Sequence, residues 1–258
     1  MNTEALRTVA ATYGTPTYIF DVREVEARIR LLRSLLPEDT GLCFAVKANP
    51  FLIPYVADLV DRLEVCSPGE YEICIQEQIA PEKIVVSGVN KTYESMKRIL
   101  SYSKGAGIYT IESEEHAKIL RTLAEKNQMP LSVLIRLSSG NQFGVDAETF
   151  LRLAKEIQES PYLTLAGVHY YAGTQKRQSK LEKELDTLTA FAKTFEEETG
   201  TVLNELEYGA GMKVSYFIND SEKDQRESEP EPQIQALAEK LRTCAYGKKT
   251  IELGRFLV

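Results

Sequence analysis

The chain has 258 residues, 38 acidic against 31 basic side chains, and a net charge of −7. That acidity excludes the basic face a nucleic-acid binder needs, and the length suits one large domain or two small ones. Four cysteines (Cys43, Cys66, Cys74, Cys244) form no CxxC pair, and two histidines (His116, His169) are too few for a zinc centre, so reduced thiols and no metal site are expected.

Met1 to Gly14 lacks the apolar core of a signal peptide, and no apolar run approaches a membrane span. A soluble, cytoplasmic protein is the expectation. In chain order, Thr17–Asp21 is the first apolar, β-branched run and is predicted as a strand. Asp21 then suits the cap of a helix over Val22–Leu36. Strands are predicted at Leu42–Ala48, Arg62–Ser67, Ile84–Gly88, Gly107–Ile111, Leu131–Leu137, Leu165–Tyr171, Glu205–Gly211 and Thr250–Val258. Between them, helical periodicity covers Ser67–Gln78, Tyr93–Tyr102, Ser113–Asn127, Ala147–Glu159 and Lys180–Thr199. Asn219–Gln233 is almost devoid of apolar residues and holds two prolines, so it reads as a long, mobile surface loop.

Alternating strands and helices without hairpin signals mean a parallel sheet. Setting aside Thr17–Asp21, eight strands remain, as in a (β/α)8 TIM barrel. An open doubly wound sheet is the rival. The barrel is preferred because polar, reactive residues end many strands rather than meeting at one crevice. Residues 1–40 then form a strand and helix leading into the barrel, and 41–258 form the barrel itself. The unpartnered first strand, and an apolar run still open at Val258, lead to the expectation of a further domain absent from this chain.

Chemistry concentrates at Lys47, which ends the run Leu42-Cys-Phe-Ala-Val-Lys-Ala-Asn49. A lysine at a buried strand end is worth its cost when desolvation lowers its pKa and makes it a nucleophile. The bland alternative is a lysine snorkelling to solvent. Later segments add Glu64-Val-Cys-Ser-Pro-Gly-Glu70, Lys91-Thr92, Arg136 with Asn141-Gln-Phe-Gly144, His169-Tyr-Tyr-Ala-Gly-Thr-Gln175, Tyr208-Gly-Ala-Gly-Met-Lys213 and Ile251-Glu-Leu-Gly-Arg255. In isolation Lys91 reads as a solvated turn charge, Arg136 as a barrel-layer ion pair and His169 as a core histidine.

Together, from Tyr13 to Val258, these motifs resemble the fold-type III pyridoxal-phosphate enzymes, most closely the diaminopimelate/ornithine decarboxylase branch. The resemblance implies that pyridoxal 5'-phosphate is the cofactor and that Lys47 anchors it as a Schiff base. It implies that Glu252 pairs with the ring nitrogen and that His169 joins the catalytic set. Glu64 and Arg136 would face the cofactor. Thr174, Gly209, Ala210, Gly211, Gly254 and Arg255 would hold its phosphate. Tyr171 stands where the family places a histidine stacked on the ring. Alanine racemases, which are related, use an arginine opposite the ring nitrogen, so Glu252 favours decarboxylation.

The departures at Tyr171, Ala210, Lys213 and Glu64 suggest a divergent branch acting on a specialised-metabolite, carrier-bound or D-configured amino acid. The family's C-terminal β-domain, which carries a cysteine, a tyrosine and an acidic residue for the site, is expected to lie outside this chain. A homodimer, or a partner chain supplying that domain, is the implied assembly. An amino-acid racemase on the same barrel and a non-catalytic pyridoxal-phosphate protein are the alternatives.

Overall fold

A computed structural model describes residues 3–217 and 221–258. Two helices, α1 (Thr3–Tyr13) and α2 (Val22–Leu35), precede the first strand, β1 (Thr40–Ala45). There follow α3 (Ile53–Val56), β2 (Arg62–Val65), α4 (Pro68–Gln76), β3 (Ile84–Val86), α5 (Tyr93–Ser103), β4 (Ile108–Ile111) and α6 (Glu114–Asn127). The chain continues through β5 (Leu131–Arg136), α7 (Ala147–Gln158), β6 (Leu163–Tyr171), α8 (Gln178–Thr199), β7 (Glu205–Gly209), α9 (Glu222–Glu227), α10 (Pro230–Thr243) and β8 (Lys248–Leu253). The eight strands pair in parallel and close into a barrel in the order β1 to β8. This is the (β/α)8 architecture expected from the alternation.

Several helices begin where short polar side chains take up their first free N–H groups. Asp21 accepts from Arg23 N, Ser67 from Glu70 N, Ser113 from His116 N and Asp146 from Thr149 N. Thr92 and Ser95 cap α5 reciprocally.

Strand side chains alternate, so each strand serves two cores. Leu42, Phe44, Leu63, Val65, Val133, Ile135, Leu206 and Ile251 belong to the main core with the helices. The inward positions hold a much smaller apolar cluster of Cys43, Val85, Ile108 and Leu134. Arg62, Glu64, Arg136, His169, Glu205, Glu207 and Glu252, on the strands, are also buried. The barrel interior is therefore largely ionic.

Three expectations are corrected. Thr17–Asp21 is not a strand: it pairs with none of the described strands, and Tyr18 is almost fully exposed. An apolar alternating run becomes a strand only beside a partner ladder. Residues 221–233, expected as loop, contain α9 and the start of α10. Ser221 caps α9, accepting from Asp224 N, and Pro230 opens α10 at a position where its missing N–H costs nothing. Asn219 and Asp220, at the start of that predicted loop, lie outside the described residues. The β8 ladder stops at Leu253, and Leu257 N turns back to Gly254 O, so the apolar run to Val258 is only partly strand.

Candidate active site

Lys47 sits one residue beyond Val46 in a tight turn that follows β1. The strands hydrogen-bonded on either side of β1 are β2 and β8, with Ala45 opposite Glu64 and Cys43 opposite Glu252. Topology thus brings a carboxylate from each side. Lys47 Nζ lies 3.0 Å from Glu64 Oε2, 3.2 Å from Glu252 Oε1 and 3.5 Å from Cys66 Sγ. The expected fall in the lysine's pKa is reversed. Burial pulls it down, but the Glu252 and Glu64 charges outweigh burial and hold the amine as ammonium. Glu252 responds in kind: burial raises its carboxyl, while Lys47 and then His169 hold it well below the usual range.

His169 is 1% exposed and reaches Glu252 Oε2 through Nε2 at 3.2 Å. An ionised carboxylate only accepts, so Nε2 carries the hydrogen. Nδ1 is buried without a partner. Glu207 lies beside this pair: one ligand-type atom from each of His169, Glu207 and Glu252 falls within 4.8 Å of the others. Arg62 donates to Glu207 Oε2 at 3.1 Å and also pairs with Glu205, while Glu207 Oε1 is left unpartnered.

Burial raises the Glu207 carboxyl from an ordinary 4.5 to about 7, with His169 and Arg62 opposing it incompletely. The folded state then binds this proton more tightly than the unfolded chain. The resulting stability is full below about pH 4.5 and is lost as the pH rises through 7. Glu207→Gln, neutral throughout, is expected to melt roughly 5 °C above the parent at pH 8. Most of that gain should vanish at pH 5, which thermal melts at the two pH values would check.

Tyr171 stands between two adjoining cavities. One is lined by Lys47, Thr174, Gly211, Glu252, Gly254 and Arg255. The other contains Lys47, Glu64, Cys66, Glu112, Arg136 and His169, with Glu252. Tyr171 and Lys47 line both. The tyrosine ring has Lys47 Nζ 5.3 Å, Lys176 Nζ 5.7 Å and Arg136 Cζ 5.9 Å from its centroid. Three cations around one ring disfavour a protonated histidine and suit a neutral π face. The ring also packs so close to Gly209 that a Cβ there would collide with it. Tyr171→Phe, which keeps the ring, is expected to hold cofactor affinity within about twofold. Tyr171→Ala is expected to weaken it about tenfold, read by titrating the visible absorbance band.

Of the residues that the resemblance names for the site, Lys47, Glu64, Arg136, His169, Tyr171, Thr174, Gly211, Glu252, Gly254 and Arg255 line one or both cavities. Gly209 and Ala210 line neither cavity: Gly209 accommodates Tyr171, and Ala210 is fully buried. Lys91 is not a solvated turn charge. It is 5% exposed, bonds Gly88 O, and lies 3.2 Å from Thr110 Oγ1 and 3.4 Å from Glu112 Oε1. Arg136 combines an ion pair to Glu112 Oε2 at 2.7 Å with a place on the cavity wall. Glu112, Cys66 and Glu207 escaped the motif reading. Glu112 and Glu207 share the two-residue spacing of Thr110 and Glu205, a signal the strand alternation carried.

An amine, a carboxylate for a ring nitrogen, and an anion-suited end with Thr174, Gly211 and Arg255 meet in one cavity. Gly211 has φ +56°, and a side chain there would collide with Gly173 O, so the backbone itself forms this wall. These residues fit pyridoxal phosphate.

Comparison with known proteins agrees. A diaminopimelate decarboxylase of Actinosynnema pretiosum is 31% identical over 84% of this chain and 52% of its own length. One from Zymomonas mobilis is 26% identical over 97% of this chain and 63% of its own. The chain thus spans about half to two-thirds of the length of these relatives. Among solved structures, AQ1208 from Aquifex aeolicus superposes with TM-score 0.83 at 25% identity, covering 98% of this chain and 61% of that one. Diaminopimelate decarboxylase from M. jannaschii, in co-complex with L-lysine, gives 0.85 at 20% identity over 97% and 63%, a likeness of fold. Residues 22–258 match the family model described as the pyridoxal binding domain of pyridoxal-dependent decarboxylases, and the chain belongs to that family.

Proposed function

We propose that this barrel holds pyridoxal 5'-phosphate on Lys47 and serves the decarboxylation of an amino acid of the diaminopimelate, ornithine or lysine type. The observation that carries the reading is Lys47 held between Glu64 and Glu252, on the wall of a cavity that Thr174, Gly211 and Arg255 also line. When bound, the cofactor supplies an electron sink for the pair left behind by the departing carboxylate.

The protein's own residues do the rest. Glu64 stands 3.0 Å from Lys47 Nζ, placed to take its proton when the amine must act as a nucleophile. Glu252, steadied by His169, presents a fixed negative charge to a ring nitrogen. Gly211, Thr174 and Arg255 would hold the phosphate, and Tyr171 would offer its ring face to the cofactor. Arg136, held by Glu112, lines the second cavity, beside Lys47 and Glu64. The specialised-metabolite branch suggested by Tyr171 and Glu64 stays part of the proposal, as does the domain division at residue 40.

Exposed Phe20, Tyr216 and Val258 line a groove next to the cofactor cavity. They suit the proposed homodimer or partner-borne β-domain, since aromatic side chains such as Phe20 and Tyr216 are enriched at such interfaces. The test loads the protein with pyridoxal phosphate and candidate diamino acids, then assays CO₂ and the configuration of the recovered amino acid. CO₂ release supports decarboxylation. Inversion without CO₂ supports the racemase reading, and cofactor binding with neither supports the non-catalytic one.

A further inference from the structure

Lys176 is a lysine that the proposed chemistry does not use, yet its side chain is almost wholly buried. Its Nζ donates to Glu184 Oε2 at 2.8 Å and to Gly209 O at 2.9 Å. Its own backbone N–H donates to Gly211 O at 2.9 Å. One residue therefore holds the carbonyls at both ends of Gly209-Ala210-Gly211. The stem lies directly under that segment, since a Cβ added to Gly211 would be 3.1 Å from Lys176 Cε. Glu184 is fixed in turn by the Tyr208 hydroxyl at 2.7 Å, and Lys180 approaches its other oxygen at 4.0 Å.

We infer that Lys176 is a positioning residue for the phosphate end of the cofactor site, acting through the Gly209–Gly211 backbone; this rests on the cofactor reading above. In a planar trans peptide the C=O and the following N–H point in opposite directions. Carbonyls drawn toward Lys176 turn the Ala210 and Met212 N–H groups away from it. Gly211 and Met212 line the cofactor cavity, on a wall where anions favour aligned N–H groups. Glu184 largely offsets the lysine's charge, so the effect is one of geometry. A lysine needed only as an ion-pair partner could satisfy Glu184 without its Nζ also engaging the Gly209 carbonyl.

The decisive comparison is pyridoxal phosphate against pyridoxal, which differ only in the phosphate. Lys176→Met keeps the stem and removes the donors, and pairing it with Glu184→Gln avoids an uncompensated buried carboxylate. The dissociation constant for pyridoxal phosphate should rise tenfold or more, while that for pyridoxal stays within about twofold. A proportional change in both constants, or in neither, overturns the inference. Should the double variant fold poorly, Lys176→Gln retains one amide donor and should keep part of the phosphate preference. A Lys176→Gln protein in which both constants rise by the same factor also overturns it. A parent protein that binds neither form sinks the cofactor reading itself.

Discussion

Lys47→Ala is expected to yield no pyridoxyl adduct after borohydride reduction, and to lower decarboxylation by at least about a thousandfold. The exposed Lys118→Ala should lose neither. The reason is positional. Among the described residues, Lys47 alone brings a primary amine to the wall of both cavities. A second consequence separates chemistry from folding. Lys47 neutralises Glu64 and Glu252, which are 1% and 4% exposed. Its charge is present below the ordinary lysine value of 10.5, and those two carboxylates carry it above that value. At pH 8 the alanine variant should therefore melt a few degrees low. The deficit should narrow on acidification, as the orphaned Glu252 carboxylate takes up a proton. A mapped adduct on another lysine, with activity retained, would sink the assignment of Lys47.

Much of this was legible because short continuous apolar runs contrast clearly with helical periodicity. Eight such runs, spaced by 3.6-period helices, admit few topologies. Lys47 stood out by its place at a strand end, whereas Arg136 and Glu252 were named through the resemblance of their motifs to the family. Three things were hidden for physical reasons. Thr17–Asp21 has strand chemistry, but pairing is a property of two segments. The polar stretch after β7 folds into α9 through local capping and ion pairs, as Lys213 reaches Asp224 at 2.6 Å and Glu227 at 2.8 Å. A hydrophobicity pattern cannot register helices built in that way. Lys176 and Glu207 are charges inside the fold, and composition counts them with surface charges until the register of neighbouring strands shows where they point.

The charge state of Lys47 shows how topology alters an argument from residue type. A strand-end lysine taken alone should lose its proton to burial. Closing the barrel places β8 beside β1 and adds Glu252 to Glu64, which reverses the sign. The amine that rests charged must shed a proton before it reacts, and Glu64 is the acceptor in reach. On the proposed reading Lys47 must give up that proton, by way of Glu64, to solvent before it can hold the cofactor, so loading rate should increase with pH.

Glu252→Gln provides the second large effect. The amide keeps the shape and a hydrogen-bond acceptor for His169 Nε2 but carries no charge. Cofactor should still attach to Lys47 with affinity within a few-fold, while decarboxylation falls about a hundred- to a thousandfold. Loss of kcat without loss of loading marks a group that acts on the electron sink rather than on binding. Stability supplies the control. The Glu252 carboxyl is held below its ordinary value of 4.5, so its contribution is present above that pH and is lost as the pH falls through the lowered value. Glu252→Gln should therefore be destabilised at pH 7 and converge on the parent toward low pH. Glu252→Ala, which leaves both Lys47 and His169 short of a partner, should be the less stable of the two at pH 7. Full activity in Glu252→Gln would reduce Glu252 to a structural partner of Lys47 and His169, and would return the choice between decarboxylation and the alternative chemistries to the product assay.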